Sequence, residues 1–378
     1  DVFAVLEIII LSVLELYPQQ ALWQLMGVQR STYAARSERC NAILAKARAS
    51  HGADALTRVG VRGRNLGVGG LIQQASKLTD QLLGLCNALP PARTITTMHV
   101  TRDFKTLAKS TPLDIIVPLQ RCLVPALPNA PSSVEHELAL LSQLDRADAE
   151  AAGDVSNGGG SDAQSASQQA MMLHQPFPND LPTISGFEDE IEVMHSLQRP
   201  KKITVLGSDG QKYSFLCKPK DDLRKDARLM EFNSMINQLL NSQPQTHKRG
   251  LYIRTYAVLP LNEECGLIQW VGPTTGIRHV LLRLYKAHDV TISMPQIKSI
   301  LDNSSPSEEE QFTKKLLPLF PSVLHEWFLQ SFPEPRSWLA SRTNFTRSAA
   351  VMSMVGYILG LGDRHCENIL LNEKTGGV

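Results

Sequence analysis

The chain has 378 residues, with 38 Lys and Arg against 37 Asp and Glu and 43% hydrophobic residues, a length that at roughly 150 residues per domain predicts two or three domains, each with a core. A net charge of +1 supplies no global field for gripping nucleic acid or an anionic membrane, so any such contact must be local or supplied by a partner. Six cysteines lie dozens of residues apart without a Cys-x-x-Cys pair, which fits reduced thiols of the cytosol or nucleus and argues against a zinc site.

The most apolar run, residues 3–14, is interrupted by Glu7 and falls short of the ~20 residues that span a bilayer, so it reads as a buried helix. Its stripe is expected at Val5, Ile8, Ile9, Val13 and Leu16, and a second helix shows Leu71, Ala75, Leu78, Leu82 and Leu85 at the same spacing. Helices are therefore expected over residues 2–127, with stops at Pro18, at the glycine-rich loop 63–70 and at Pro90-Pro91. That loop lacks the Gly-Lys-Ser/Thr ending of a phosphate loop and reads as a plain connection. Residues 145–169 turn to Ala, Ser, Gly, Asp and Gln, the composition of a disordered linker.

From Pro182 the period switches to alternation. Residues 202–218 read as a β-hairpin around Ser208-Asp209-Gly210, followed by a helix capped by Asp221 or Asp222 with a buried stripe through Leu223, Ala227, Met230 and Leu239. Strands are expected at 251–259 and 266–271, and then helices over 276–360. The fold class is α+β: an all-α helical-repeat segment, then a two-lobed domain with a β-rich first lobe and a mainly helical second lobe. Expected boundaries are 1–135 for the helical segment, 136–180 for the linker, 181–271 for the first lobe and 272–378 for the second. Both ends of the sequence look cut from something longer.

Three constellations carry chemistry. Lys218 ends a strand and can hold a nucleotide phosphate if an acidic residue fixes its stem, with Asp226 on the following helix as candidate. Trp270, at the junction of the lobes, can cover a purine while the Val271 backbone offers a donor to its edge. Between two apolar elements, Gly362-Asp363-Arg364-His365-Cys366-Glu367-Asn368 places an Asp five positions before an Asn, the spacing of a loop in which Asp orients the attacking hydroxyl and Asn binds Mg²⁺.

This loop resembles the G-D-R-H-x-x-N catalytic loop of the phosphatidylinositol 3-kinase-related protein kinases. Residues 196–203, 217–224, 229–233, 253–258 and 351–362 are similar to the checkpoint (ATR-type) branch of that family, and residues 17–21 and 78–80 to its helical FAT region. The resemblance implies a nuclear serine/threonine kinase that uses ATP with Mg²⁺, or Mn²⁺ in its place, phosphorylates Ser/Thr-Gln sites in proteins, and acts with a dedicated interacting subunit bound mostly through regions not in this sequence. It implies contact with DNA only indirectly, through a partner, and none with a membrane. It places a short hairpin, 196–200, over the phosphates, with Ser196 and Gln198 at the nucleotide. It implies Lys218 with Asp226 and Tyr256 in one pocket, Ile268, Trp270, Val271 and Leu370 around adenine, Asp363 and His365 as catalytic residues, and Asn368 on the metal.

Two departures stand out. Cys366 occupies a position where Gly is usual, and the second metal-binding Asp, expected about fourteen residues after Asn368, is not among the 378, so these residues by themselves are expected to be inactive. A phosphoinositide lipid kinase of the same fold and a non-catalytic family scaffold are the competing readings.

Overall fold

A computed structural model describes residues 2–50, 67–92, 94–125, 176–291, 293–302 and 307–378. The linker expected at 136–180 lies outside the described residues as far as 175, as do residues 63–66 of the glycine stretch. The chain forms two compact units, one of Asp1–Met235 with Arg254–Trp270 and one of Ile236–Ile253 with Val271–Val378.

The first unit opens with helices α1 (Val2–Leu16), α2 (Pro18–Gln29), α3 (Ala34–Ser50) and α4 (Val68–Asn87). Pro18 sits in the first turn of α2, where its missing N–H has no intrahelical partner to lose. All five residues of the expected α4 stripe are buried. The α1 stripe is a correction: Val5, Ile8, Ile9, Val13 and Leu16 are exposed, and only Leu14 is fully buried. The inward face runs instead through Phe3, Ile10, Leu11 and Leu14, and Glu7 lies on it, paired with Lys46 of α3 at 2.6 Å. α1 is apolar nearly all round, so a spacing of three to four fits several stripes and does not by itself select the inward one.

Residues 97–125 are not uniformly helical. The strand β1 (Thr97–His99) precedes three short helices, α5 (Val100–Asp103), α6 (Lys105–Ser110) and α7 (Gln120–Leu123). β1 pairs with a strand ninety residues on, a partner that no local pattern announces.

Among the described residues of this unit, β1, β2 (Ile184–Phe187), β3 (Glu190–Val193), β4 (Lys201–Gly207), β5 (Lys212–Pro219), β6 (Val258–Pro260) and β7 (Cys265–Gln269) form a seven-stranded antiparallel sheet. Its order is β1-β3-β4-β5-β7-β6, with β2 also on β4. The β4–β5 hairpin is as expected, turning through Gly210 at φ +76°, a conformation open to glycine. The expected strand 251–259 is regular only from Val258. Ile253 has its backbone N–H and C=O taken by the side-chain amide of Asn237, at 2.6 and 2.7 Å, which leaves neither for a neighbouring strand.

Alternation gives the sheet two unlike faces. Lys201, Ile203, Val205, Phe215, Cys217, Cys265 and Leu267 are buried and all but the lysine share one apolar core with α1–α4. The helical segment is therefore the second layer of the sheet. Lys201 is 1% exposed; its ammonium donates to the Cys86 carbonyl at 2.9 Å, in the last turn of α4, where a cation meets the negative end of the helix dipole. Burial pushes the Lys201 pKa down. Glu263, after β6, accepts from Ser31 Oγ at 2.6 Å and Thr32 N at 2.8 Å, tying the α2–α3 turn to the sheet.

The second unit begins inside α8 (Arg224–Ser242). Met230 is buried, but Leu239 is exposed, contrary to the expected stripe; Ile236 and Leu240 pack instead, with Ile253, Val351 and Val355. The unit continues through α9 (Pro244–Lys248), β8 (Thr274–Gly276), α10 (Ile277–Ala287), α11 (Met294–Asp302), α12 (Glu308–Glu310), α13 (Leu324–Ser331), α14 (Pro335–Leu359) and β9 (Leu370–Asn372). Trp327, Phe328 and Phe332 centre its core, and β8 pairs with β9.

α2 approaches β6 so closely at Gly27 that a Cβ there would lie 2.3 Å from the Pro260 carbonyl oxygen. Gly27→Ala must push two backbones apart, and it is expected to destabilise the protein by about 1–3 kcal/mol, read as a lowered urea midpoint. An unchanged midpoint would show that α2 does not hold this contact.

Candidate active site

The residues that hold chemistry divide between the two units. In the first, the face of the sheet opposite the shared core carries Lys202, Thr204, Ser214, Leu216, Lys218 and Ile268. Register fixes this: Lys202 pairs with Leu216, Leu216 with Ile268 and Thr204 with Ser214, and paired residues of antiparallel strands share a face. Trp270 follows at the end of β7, its N–H bonded to the Ser214 carbonyl at 2.9 Å. Its ring is 39% exposed and lies 4.9 Å from the Lys202 ammonium, a cation–π contact that fixes its plane. Tyr256 and Ile268 pack with Leu223, Met230 and Val258. Ser196 and Gln198 lie exposed in the connection from β3 to β4.

Lys218 makes an ion pair with Asp221, not with Asp226. Lys220 adopts φ +53° and the Asp221 N–H bonds to the Glu264 carbonyl at 2.7 Å, so the chain folds back and carries Asp221 to the lysine before α8 begins. Asp226 sits in the first turn of α8. The Asp222 carboxylate accepts two bonds from the Arg224 guanidinium, at 2.7 and 2.6 Å, which with the Arg224 N–H holds its pKa down at about 2.

In the second unit, α14 ends at Gly360 in the left-handed region, φ +63°. Asp363 turns left-handed again at φ +58°, a conformation that Asp tolerates better than most residues. Three predicted residues then close on one another. Asn368 Nδ2 donates to Asp363 Oδ2 at 2.8 Å and to its carbonyl at 2.9 Å. His365 Nε2 lies 3.4 Å from Asp363 Oδ1. His365 Nδ1 accepts the Glu367 N–H at 3.2 Å, so the proton of the neutral ring is assigned to Nε2, on the side of Asp363.

The rest of the loop docks on the start of α10: Arg278 N–H bonds to the Cys366 carbonyl, Ile277 N–H to the Ile369 carbonyl, both at 3.1 Å, and the Arg278 side chain pairs with Glu367 at 3.1 Å. Cys366 is exposed and is not among the described residues with positive φ, so the position makes no demand for glycine. Val271 and Leu370 also belong to this unit. Val271 accepts from Thr274 Oγ1 at 3.0 Å; Leu370, half exposed, pairs with Gly276.

The Asn368 amide oxygen accepts no hydrogen bond among the described residues. It is a hard oxygen donor of the kind that fits a divalent cation keeping water and phosphate in its remaining positions. No cluster of three His, Cys, Asp or Glu side chains suited to a metal occurs among the described residues, and no described helix is long and apolar enough to cross a membrane.

Sequence reasoning missed Asp221, Lys202 and Gln269. The first two were lost in runs of charge. Gln269 did carry a signal, a polar residue between Ile268 and Trp270 on the core-side register of β7; its Oε1 accepts the Gln120 N–H at 3.0 Å and the Ala257 N–H at 3.1 Å.

The phosphatidylinositol 3- and 4-kinase family model matches residues 212–378, and a model of the HEAT repeats of ATR-like serine/threonine-protein kinases matches residues 1–61. Protein kinase rad3 of Schizosaccharomyces pombe is 42% identical over 377 residues, 99% of this chain and 14% of that protein. Serine/threonine-protein kinase ATR of Arabidopsis thaliana is 42% identical over 384 residues, 100% of this chain and 12% of that protein, and ATR of Drosophila melanogaster is 36% identical over 381 residues, 100% and 14%. The chain thus spans 12–14% of the length of these curated relatives. Among solved structures, the FAT and kinase domain of CtTel1 superposes with a TM-score of 0.71 at 22% identity, over 99% of this chain and 23% of that one, and shows the fold.

Gln269→Leu would leave two backbone N–H groups without acceptors and is expected to destabilise the protein by about 2–4 kcal/mol, whereas Gln269→Glu keeps both bonds and much of the stability. Urea unfolding of the two variants checks this; equal midpoints would show that the bonds contribute nothing.

Proposed function

The chain belongs to the ATR-type (ATR/Rad3/MEC1) serine/threonine-protein kinases of the phosphatidylinositol 3-kinase-related family, and from that premise we propose that the full-length gene product transfers the γ-phosphoryl group of ATP to Ser or Thr followed by Gln in protein substrates. The observation that carries this reading is the joined Asp363, His365 and Asn368, with Asp363 held by Asn368 Nδ2 on one oxygen and facing His365 Nε2 on the other. In such transfer the protein positions groups and stabilises charge, with little covalent chemistry of its own.

Each residue has a role that its surroundings support. Asp363 orients the substrate hydroxyl and takes its proton, its carboxylate kept in place by Asn368. His365 donates from Nε2 to developing negative charge; with Nδ1 occupied by the Glu367 N–H, the donor role fits the ring better than that of base. Lys218, its stem fixed by Asp221, holds phosphate. In the first unit Trp270, Ile268 and Tyr256 offer an apolar surface to adenine and Ser196 and Gln198 meet the phosphates; in the second, Val271 and Leu370 are the proposed nucleotide-binding residues. Asn368 holds Mg²⁺, or Mn²⁺ in its place, which when bound neutralises phosphate charge. The family's second metal-binding Asp is not among these 378 residues, so the reaction is proposed for the full-length product and these residues alone are expected to be inactive. A nuclear checkpoint role with an ATR-interacting-protein-like subunit, and contact with DNA only through partners, is proposed with it on the resemblance to the ATR-type branch.

The test is phosphorylation by the full-length product with its partner, offered a Ser-Gln peptide, the Ser-Ala version and phosphatidylinositol vesicles. Wild type is expected to label only the Ser-Gln peptide. Asp363→Asn keeps an acceptor for Asn368 and a side chain at ease with positive φ, so the fold should persist while turnover falls by about 10²–10⁴-fold. Full activity of that variant would remove Asp363 from the mechanism, and labelling of lipid in place of peptide would favour the lipid-kinase reading.

A further inference from the structure

Residues 194–200 connect β3 to β4 in a short turn. The Met194 N–H bonds to the Pro200 carbonyl at 2.9 Å, and the Arg199 N–H bonds to the Ser196 carbonyl at 3.2 Å and to its hydroxyl at 3.2 Å. The tip is out in solvent: Leu197 is 102% exposed, and Ser196 and Gln198 are exposed beside it. A tip with so little packing has to be stiffened from its base.

That base is tied to the last turn of α4 and to Ala92, Ile95 and Thr96 before β1. The Arg199 guanidinium donates to the Ala92 carbonyl at 3.0 Å and, through its other nitrogen, to the Ile95 carbonyl. The Val193 N–H bonds to the Thr96 carbonyl at 2.7 Å. Lys201, the first residue of β4, reaches the Cys86 carbonyl. Arg199 itself is held at φ +48°, a conformation rare for a side chain of its size, which persists where surrounding contacts over-determine it. The fork of a guanidinium suits two carbonyls at once; an ammonium is a single point of charge.

We propose that Arg199 is a positioning residue for the nucleotide phosphates: by clamping the 194–200 turn to the Ala92 and Ile95 carbonyls it sets the geometry of Ser196 and Gln198, and so makes ATP affinity depend on the helical segment. The inference rests on the proposed kinase reading for its link to ATP, while the clamp stands on geometry alone.

The experiment compares wild type, Arg199→Ala and Arg199→Lys in the full-length product, with steady-state kinetics for ATP and for a Ser-Gln peptide, thermal midpoints, and hydrogen exchange of the peptide covering 194–200. Losing both charge-assisted bonds should raise the ATP KM about tenfold while the peptide KM and the midpoint stay put, and should speed exchange in the turn. Arg199→Lys, with one bond kept, should fall between, and it decides the matter if Arg199→Ala does not fold. An unchanged ATP KM with unchanged exchange would overturn the proposal, as would a fall in kcat, midpoint and both affinities together, which marks a merely structural residue. An inactive wild type would count against the kinase reading, and the exchange data would then still decide for or against the clamp.

Discussion

The two unlike faces of the antiparallel sheet are the constraint on which the first unit depends. Strict alternation along β4, β5 and β7 sends Ile203, Val205, Phe215, Cys217 and Leu267 into the core formed with the helical segment. The same alternation leaves Lys202, Lys218 and Ile268 on the other side. A slip of one residue in any strand would exchange these sets. The helices are what make that register costly to lose, because they bury one face so completely that even Lys201 is drawn in and finds its partner at the end of α4. The helical segment therefore backs the sheet behind the face that carries Lys202, Lys218 and Ile268, and the described residues of 2–125 and 176–235 belong to one compact unit.

The second unit solves a different problem. Its loop after α14 is exposed, so burial cannot hold it, and its shape comes from backbone direction and hydrogen bonds. Two left-handed residues, Gly360 and Asp363, turn the chain; Asn368 and His365 then converge on the Asp363 carboxylate, and the start of α10 receives the loop's carbonyls. This arrangement leaves the Asp363 carboxylate accessible while fixing both of its oxygens, which is what positioning of a hydroxyl would require.

Features carried by local pattern were legible in the sequence: the α4 stripe, the β4–β5 hairpin with its Asp-Gly turn, and the loop with Asp363 five positions before Asn368. What was not legible depended on partners far along the chain. β1 is a strand because β3 is there to pair with it, residues 251–257 form no ladder because Asn237 takes the Ile253 backbone, and Glu7 faces inward because Lys46 awaits it. Lys218 chose Asp221 over Asp226 through a left-handed Lys220 that nothing in the run of charges reveals. Arg199 and Gln269 belong to the same class, polar residues with an acceptor or a donor more than a hundred residues away.

The most direct test of the two-faced sheet as a nucleotide site is labelling of the folded full-length product with a lysine-reactive acyl phosphate of ATP, followed by mapping of the modified lysines. The account predicts modification of Lys218 that Mg·ATP competes away, with Lys201, three ångströms from the Cys86 carbonyl and sealed in the core, left unmodified. Absence of label at Lys218, label there that ATP does not displace, or label at Lys201 in the folded protein would contradict it.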